Sequence, residues 1–145
     1  MSLQFCTFHV GDLMLGIEVA QIQEVLRNTS VTPVPKTPPA ISGLVNLRGQ
    51  IVTAIDLRTL FRIEVDAVND SPTMLILDSG AQLSSLVVDA VGEVVAVEEA
   101  DFEEPPDTLR GESRKLIRGA FKLRDRLLLI LDVAHATKAA AAGRS

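Results

Sequence analysis

The sequence holds no tryptophan and no tyrosine, and only five phenylalanines in 145 residues. Its core must be aliphatic, and sites that depend on aromatic stacking, including most single-strand nucleic-acid platforms, are disfavoured. It holds one cysteine, Cys6, so no internal disulfide can form. Cys6 lies in QFCTFHV, whose alternation reads as a strand; a lone cysteine there reads as a small buried apolar residue, with a reactive thiol as the alternative. No apolar run nears the ~20 residues of a membrane-spanning helix. No basic start followed by an apolar segment marks a signal peptide. These absences predict a cytoplasmic protein without direct membrane insertion.

The usual marks of catalysis are missing too. There are two histidines. His9 lies three residues after Cys6, an odd spacing that puts the pair on opposite faces of a strand. His135 lies three residues after Asp132 on an expected surface helix, with no third ligand nearby. No G-x-S-x-G, P-loop or G-x-G-x-x-G occurs. The expectation is no enzyme, no cofactor and no metal.

What is present is apolar bulk and segregated charge. Hydrophobic residues make up 47% of the chain, and the net charge is −5. One domain, or two small subdomains sharing a core, fits this length. Residues 71–109 carry Asp78, Asp89, Glu93, Glu98, Glu99, Asp101, Glu103, Glu104 and Asp107 and no Lys or Arg. Residues 110–126 are basic, with Arg110, Arg114, Lys115, Arg118, Lys122, Arg124 and Arg126. Such a stretch either binds phosphate backbones or forms a solvated face against its acidic neighbour. Overall acidity and a single interleaved aromatic, Phe121, favour the second, so no nucleic-acid partner is expected.

Periodicity divides the chain into short elements. Residues 4–10 and 13–17 read as strands around the turn Gly11-Asp12. Val19, Ile22, Val25 and Leu26 fall at helical spacing, which predicts a short helix over 19–26. Residues 31–34 read as a strand, followed by an extended loop at Pro35, Pro38 and Pro39. Residues 44–47 and 50–55 read as strands around Arg48-Gly49, and 57–61 as a helical turn. A polar loop follows at Asn69–Pro72. Further strands are expected at 74–77 and 83–88, then a strand or short helix at 91–97. The acidic 101–110 segment reads as an exposed loop. Strands at 117–123 and 126–131 precede an alanine-rich terminal helix, 133–142. The domain is expected to span 1–138, with 139–145 a loose tail.

Two stretches repeat without a gap. GLVNLRGQIVTAIDL (43–57) aligns with GAFKLRDRLLLILDV (119–133), pairing Gly43 with Gly119, Arg48 with Arg124 and Asp56 with Asp132. Upstream, GDLMLGIEVAQIQEV (11–25) aligns with GAQLSSLVVDAVGEV (80–94), pairing Glu24 with Glu93 and Val25 with Val94. Two ordered matches predict two similar halves. Short strands hide their edges best by curling, so the shape expected is two small packed barrels with a groove between them. Asp56 and Asp132, at strand ends, are either helix caps or acids at a site; their recurrence favours capping.

Only the first copy reads Asn46-Leu47-Arg48-Gly49. Here one arginine sits between two apolar strands, and the glycine allows close backbone approach. Its rigid multi-donor head suits a carboxylate, and Glu24 is a candidate partner. An exposed turn arginine is the plain alternative.

ISGLVNLRGQIVTAIDLRTLF resembles the signature of the CheW-like domain family. The opening F-x-x-F-x-x-G-x-x-x-x-G-I-E, then VAQIQEVL, V-x-P-V-P, LVVDAVGEVVAV and LLLILDV, extends the resemblance from about Phe5 to Ala136. It implies a mainly β fold of two interlocked SH3-like five-stranded β-barrel subdomains with short helices. It implies a non-enzymatic chemotaxis adaptor. Such an adaptor couples methyl-accepting chemoreceptor cytoplasmic tips to the regulatory domain of a CheA-type histidine kinase, in the cytoplasm at membrane-bound arrays. A coupling protein for type IV pilus or gliding motility is the related alternative. The resemblance places Glu24, Asn46, Arg48 and Gly49 at partner surfaces, with Ile22, Val25, Gly43 and Ile51 as neighbouring apolar or close-approach positions. Ser42 stands where some relatives carry a lysine. Thr108 and Leu109 fall in a loop expected to touch a second kinase surface. An exposed apolar partner surface would also favour weak self-association.

Overall fold

The computed structural model describes residues 1–27, 30–63, 73–78 and 83–142. Among these residues, ten strands make two five-stranded sheets. In chain order they are β1 (Ser2–Val10), β2 (Leu13–Glu18), β3 (Ile22–Arg27), β4 (Ile41–Leu47), β5 (Gln50–Asp56), β6 (Thr73–Asp78), β7 (Leu83–Val88), β8 (Ala90–Glu98), β9 (Ile117–Lys122) and β10 (Leu127–Leu131). Also among the described residues are three short helices, α1 (Leu57–Leu60), α2 (Glu112–Lys115) and α3 (Val133–Ala141). The sheet orders are β8-β1-β2-β10-β9 and β3-β6-β7-β5-β4.

The two orders correspond strand for strand, but the sequence halves are not the sheets. The first half gives β1 and β2 to one sheet and β3, β4 and β5 to the other. The second half does the reverse. Each sheet contains one parallel pair, β2 with β10 and β5 with β7, and each such pair joins strands from different halves. The repeat is therefore real, and its copies are interlocked by exchange of strands.

Each sheet curls into an open barrel because its two edge strands share an interior. In barrel A, Val95 and Val97 of β8 pack with Phe121 of β9 around Phe5, Leu128 and Ile130. In barrel B, Leu26 of β3 packs with Leu47 of β4, Val52 and Ile76. A larger core lies between the barrels, where Phe8, Leu15 and Ile17 meet Leu75, Leu77 and Leu86, all within 1% of full burial. Ala136 and Ala140 of α3 are fully buried in it. The tail is thus not loose at residues 139–141: they belong to α3, and Ala140 anchors it. Residues 143–145 lie outside the described set.

The helix expected over 19–26 is instead a 3-10 turn, Val19–Gln21, followed by β3. The pairing of β3 with β6 shifts by one residue between Ile22 and Glu24. Such a bulge inserts an extra residue, so apolar positions three apart face the same side, as in a helix. Residues 91–97 are likewise strand, within β8. The acidic 101–110 segment is mostly exposed, as expected, but it is tied down: Glu103 bridges to Ala120 through two backbone hydrogen bonds of 2.9 and 2.8 Å, and Pro105, Pro106 and Leu109 are half-buried. The helix α2 after it was not foreseen. The loop expected at Asn69–Pro72 lies outside the described residues.

The repeated residues have structural causes. Asp56 accepts a hydrogen bond from the Arg58 amide and Asp132 from the His135 amide, both at 2.9 Å, so both cap the helices that follow. Gly43 and Gly119 lie where an extended strap crosses each sheet. A Cβ on Gly43 would fall 2.2 Å from the Thr32 carbonyl oxygen, and one on Gly119 2.1 Å from the Phe102 ring. Gly16 and Ser85, matched in the repeat, both face a barrel interior. A Cβ at Gly16 would come within 3.0 Å of Leu128, so this position demands a small side chain. The Ser85 hydroxyl is buried and finds no hydrogen-bond partner among the described residues. Ser85→Ala is therefore expected to stabilise the protein by about 1 kcal/mol, the desolvation cost it removes. Urea unfolding measures this, and a loss of stability would show that the hydroxyl is bonded.

Candidate functional site

The hairpin of β4 and β5 builds the first part of the site. Leu47 pairs with Gln50, leaving Arg48-Gly49 as a two-residue loop. Arg48 has φ +52 and Gly49 φ +88, the type I′ pattern that matches strand twist. The Asn46 carboxamide oxygen accepts from the Gly49 amide at 2.9 Å and holds the turn. Glycine at 49 is explained by its φ, and nothing lies within 4 Å of where a Cβ would point. Arginine in left-handed backbone at 48 is unusual, and its head group explains what the turn presents.

That head group forks onto Glu24 of β3. Arg48 Nη1 donates to Glu24 Oε1 at 3.2 Å, and Nη2 donates to Oε2. β3 and β4 are the two edges of the same sheet, so the pair spans the seam of barrel B. The Arg48 hydrogen bond holds the Glu24 carboxyl below the usual carboxylate range, against a smaller upward push from desolvation. The same bond raises the Arg48 pKa further. The Arg48 side chain stays 65% exposed. The second copy lacks this device. Arg124-Asp125 sits in a wider turn closed by Leu123 N–H donating to Arg126 O at 2.8 Å, and neither residue has positive φ. Among the described residues no ion pair joins Arg124 to Glu93, the matched positions.

Beside the turn the surface is apolar. Ile51 is the register partner of Asn46 and is 60% exposed. The same outer face continues through Thr53 and Leu44 into an uncharged groove of about 430 Å³, lined also by Ile55, Pro38 and Leu83. Barrel A repeats the arrangement. Leu127, matched to Ile51, is 38% exposed. It opens onto a groove of about 350 Å³ with Leu129, Met14 and Leu109. Thr53 and Leu83 in one groove match Leu129 and Met14 in the other. The barrel A groove is charged by Asp12, Asp125 and Arg126.

A third apolar surface lies on the strand edges. Val94 of β8 is 56% exposed and Val19, in the 3-10 turn, 37%. Val94 is the register partner of Cys6 on β1, and the 3-10 turn packs against β1 as well. Ile22, Val25 and Val91 are half-buried against the core between the barrels.

The residues singled out in the sequence thus fall into separate groups. Glu24, Asn46, Arg48, Gly49 and Ile51 come together at the seam of barrel B. Ile22 and Val25 lie on β3 and turn partly inward, and Ser42 is half-buried on β4. Gly43 is buried beneath the strap and presents no surface. Thr108 and Leu109 line the barrel A groove. Leu127 and Val94 were not singled out, although the repeat aligned them with Ile51 and Val25. The Cys6 thiol is buried, and burial pushes its pKa up. Among the described residues no three His, Cys, Asp or Glu are grouped to hold a metal ion, and no helix is long and apolar enough to cross a membrane.

The model of the CheW-like domain matches residues 4–141. Chemotaxis protein CheW of Helicobacter pylori is 31% identical over 136 residues, covering 94% of this chain and 82% of that protein. Protein FrzA of Myxococcus xanthus is 30% identical over 103 residues, covering 71% of this chain and 64% of that protein. The crystal structure of scaffolding protein TtCheW from Thermoanaerobacter tengcongensis superposes with a TM-score of 0.82 at 30% identity, covering 91% of this chain and 90% of that one.

Proposed function

The chain belongs to the CheW-like domain family, and on that premise we propose that it is a non-enzymatic adaptor coupling chemoreceptor cytoplasmic tips to the regulatory domain of a CheA-type histidine kinase. The observation that carries the reading is the pair of exposed apolar residues, Ile51 and Leu127, at matched positions on two barrels. A single exposed apolar residue is ordinary, but the same position exposed on both barrels fits a scaffold with a partner at each barrel end. Barrel B, with Ile51, Leu44 and the Arg48–Glu24 seam, takes one kinase barrel. The barrel A groove, with Thr108, Leu109 and Leu127, takes a second, and its charges give that contact a different specificity. The receptor's helical hairpin lays its apolar face along Val19, Ile22 and Val94. Kinase control then follows from receptor conformations that bind the adaptor–kinase unit with different free energies.

Titration calorimetry against a CheA-type regulatory domain, with a receptor cytoplasmic fragment present or absent, tests the reading. Arg48→Ala is expected to weaken binding about tenfold, since a desolvated arginine is a typical interface anchor. It should leave far-ultraviolet dichroism and the melting temperature nearly unchanged. Unfolding of this variant would assign the pair to the seam of the barrel alone.

The similarity to FrzA of Myxococcus xanthus supports one second reading: the same adaptor biochemistry in a non-flagellar chemosensory system. Binding to the kinase and receptors encoded beside the gene distinguishes the two. The nucleic-acid reading loses support from the basic segment itself. Arg114 donates to the Pro106 carbonyl at 2.8 Å, Lys115 meets Glu112 at 3.4 Å and Lys122 meets Glu103 at 3.8 Å.

A further inference from the structure

The ion pair of Arg58 and Asp89 joins the two barrels. Asp89 occupies the crossing where the chain leaves β7 in barrel B for β8 in barrel A. Its Oδ1 accepts from Arg58 Nε at 2.6 Å, and its Oδ2 accepts from Arg58 Nη2 and from the Gly11 amide, both at 2.7 Å. Its own amide donates to the His9 carbonyl at 2.9 Å. Both side chains are mostly covered, at 28% and 26% exposure. Burial alone would raise the Asp89 pKa, but the Arg58 fork and the Gly11 amide hold it below the usual range, so the pair is charged.

The elements it joins lead to all three apolar surfaces. Arg58 lies on α1, which continues from β5 and Ile51. Gly11 lies in the β1–β2 turn, next to Asp12 and Leu13 of the barrel A groove. Asp89 opens β8, which carries Val94. The repeat does not duplicate the device: Ala134 stands at the position matching Arg58 and Ala20 at that matching Asp89. Among the described residues, no ion pair of this kind holds the first crossing, at Val19–Gln21. The barrels share the large core between them, and among the described residues the charged brace is added at one of the two crossings.

We infer that Asp89 is a positioning residue: held by Arg58 and Gly11, it fixes the angle between the barrels and with it the relative placement of the three surfaces. The angle can be read without any partner. Spin labels at exposed Gln50 on barrel B and Gln4 on barrel A, with Cys6 replaced by alanine, report the distance between barrels by pulsed electron resonance. Asp89→Asn keeps the Gly11 acceptor and removes the charge; it is expected to broaden the distance distribution. Arg58→Lys keeps the charge and loses the fork; it is expected to fall between parent and Asp89→Asn. An unchanged distribution in both, with only a lower melting temperature, would overturn the inference and leave an ordinary stabilising ion pair.

The second readout rests on the adaptor reading. Asp89→Asn should leave each binary affinity within about threefold, while the gain in kinase-domain affinity on adding receptor fragment falls about fivefold or more. Equal loss in the binary titrations would also count against a positioning role. If the parent protein binds neither partner, the adaptor reading fails, and the label distances still decide the brace.

Discussion

Gly43→Ala is expected to cost about 3–4 kcal/mol of stability. The added methyl would fall 2.2 Å from the Thr32 carbonyl oxygen and 3.0 Å from Pro33 Cα, both backbone atoms that no rotamer change can move. Thr32 and Leu44 exchange two hydrogen bonds of 2.8 Å across this point, so the strap cannot lift without breaking them. Overpacking of this kind costs about 1–3 kcal/mol. The backbone at φ +149 adds strain for any residue with a Cβ, of order 1–3 kcal/mol. Domains of this size are stable by only about 5–15 kcal/mol. The loss should lower the melting temperature by roughly 10 °C. Gly49→Asn is the control, because nothing lies within 4 Å of its Cβ direction and asparagine tolerates left-handed backbone. Calorimetric melting of both variants checks the prediction. A further consequence is that Gly43→Ala should weaken partner binding only as far as it unfolds the protein. Direct loss of binding with an intact melting curve would show that the strap itself is a contact.

The same glycine shows what was legible in the sequence. Gly43 and Gly119 recur because a strap crosses each sheet at the same place, and Asp56 and Asp132 recur because each caps a helix after a strand. Local chemistry sets both, so both could be read. Strand exchange could not. β8 pairs with β1, and β10 with β2, over separations that no local periodicity encodes. The bulge in β3 mimics helical spacing, so the sequence predicts a helix there; Glu24 lies instead on a strand, where it still meets its expected partner, Arg48. Leu127 and Val94 look like core residues in an apolar run. Only their alignment with Ile51 and Val25 distinguishes them, since a strand's inner and outer faces differ by a single residue of register.

Ile51→Asp is expected to leave the fold intact and to remove kinase-domain binding through barrel B. Ile51 is 60% exposed on the outer face of β5, so its replacement should change stability by no more than about 0.5 kcal/mol. At an interface the same position becomes an apolar anchor beside Asn46 and Arg48. Burying a carboxylate there would weaken affinity about 30-fold or more, the level of a hot-spot residue. Leu127→Asp supplies the contrast. It lies at the matched position of barrel A, beside Arg126 and Asp125, where a new carboxylate meets mixed charge and not a neutral groove. It should spare the first contact and reduce only the formation of larger assemblies, by a smaller factor. Calorimetry measures the first contact, and sedimentation of the mixture with kinase domain measures the second. If Leu127→Asp abolishes binary binding and Ile51→Asp does not, the roles of the barrels are exchanged. If neither variant affects either readout, the matched apolar residues do not serve as docking points, and the scaffold must bind through its strand edges alone.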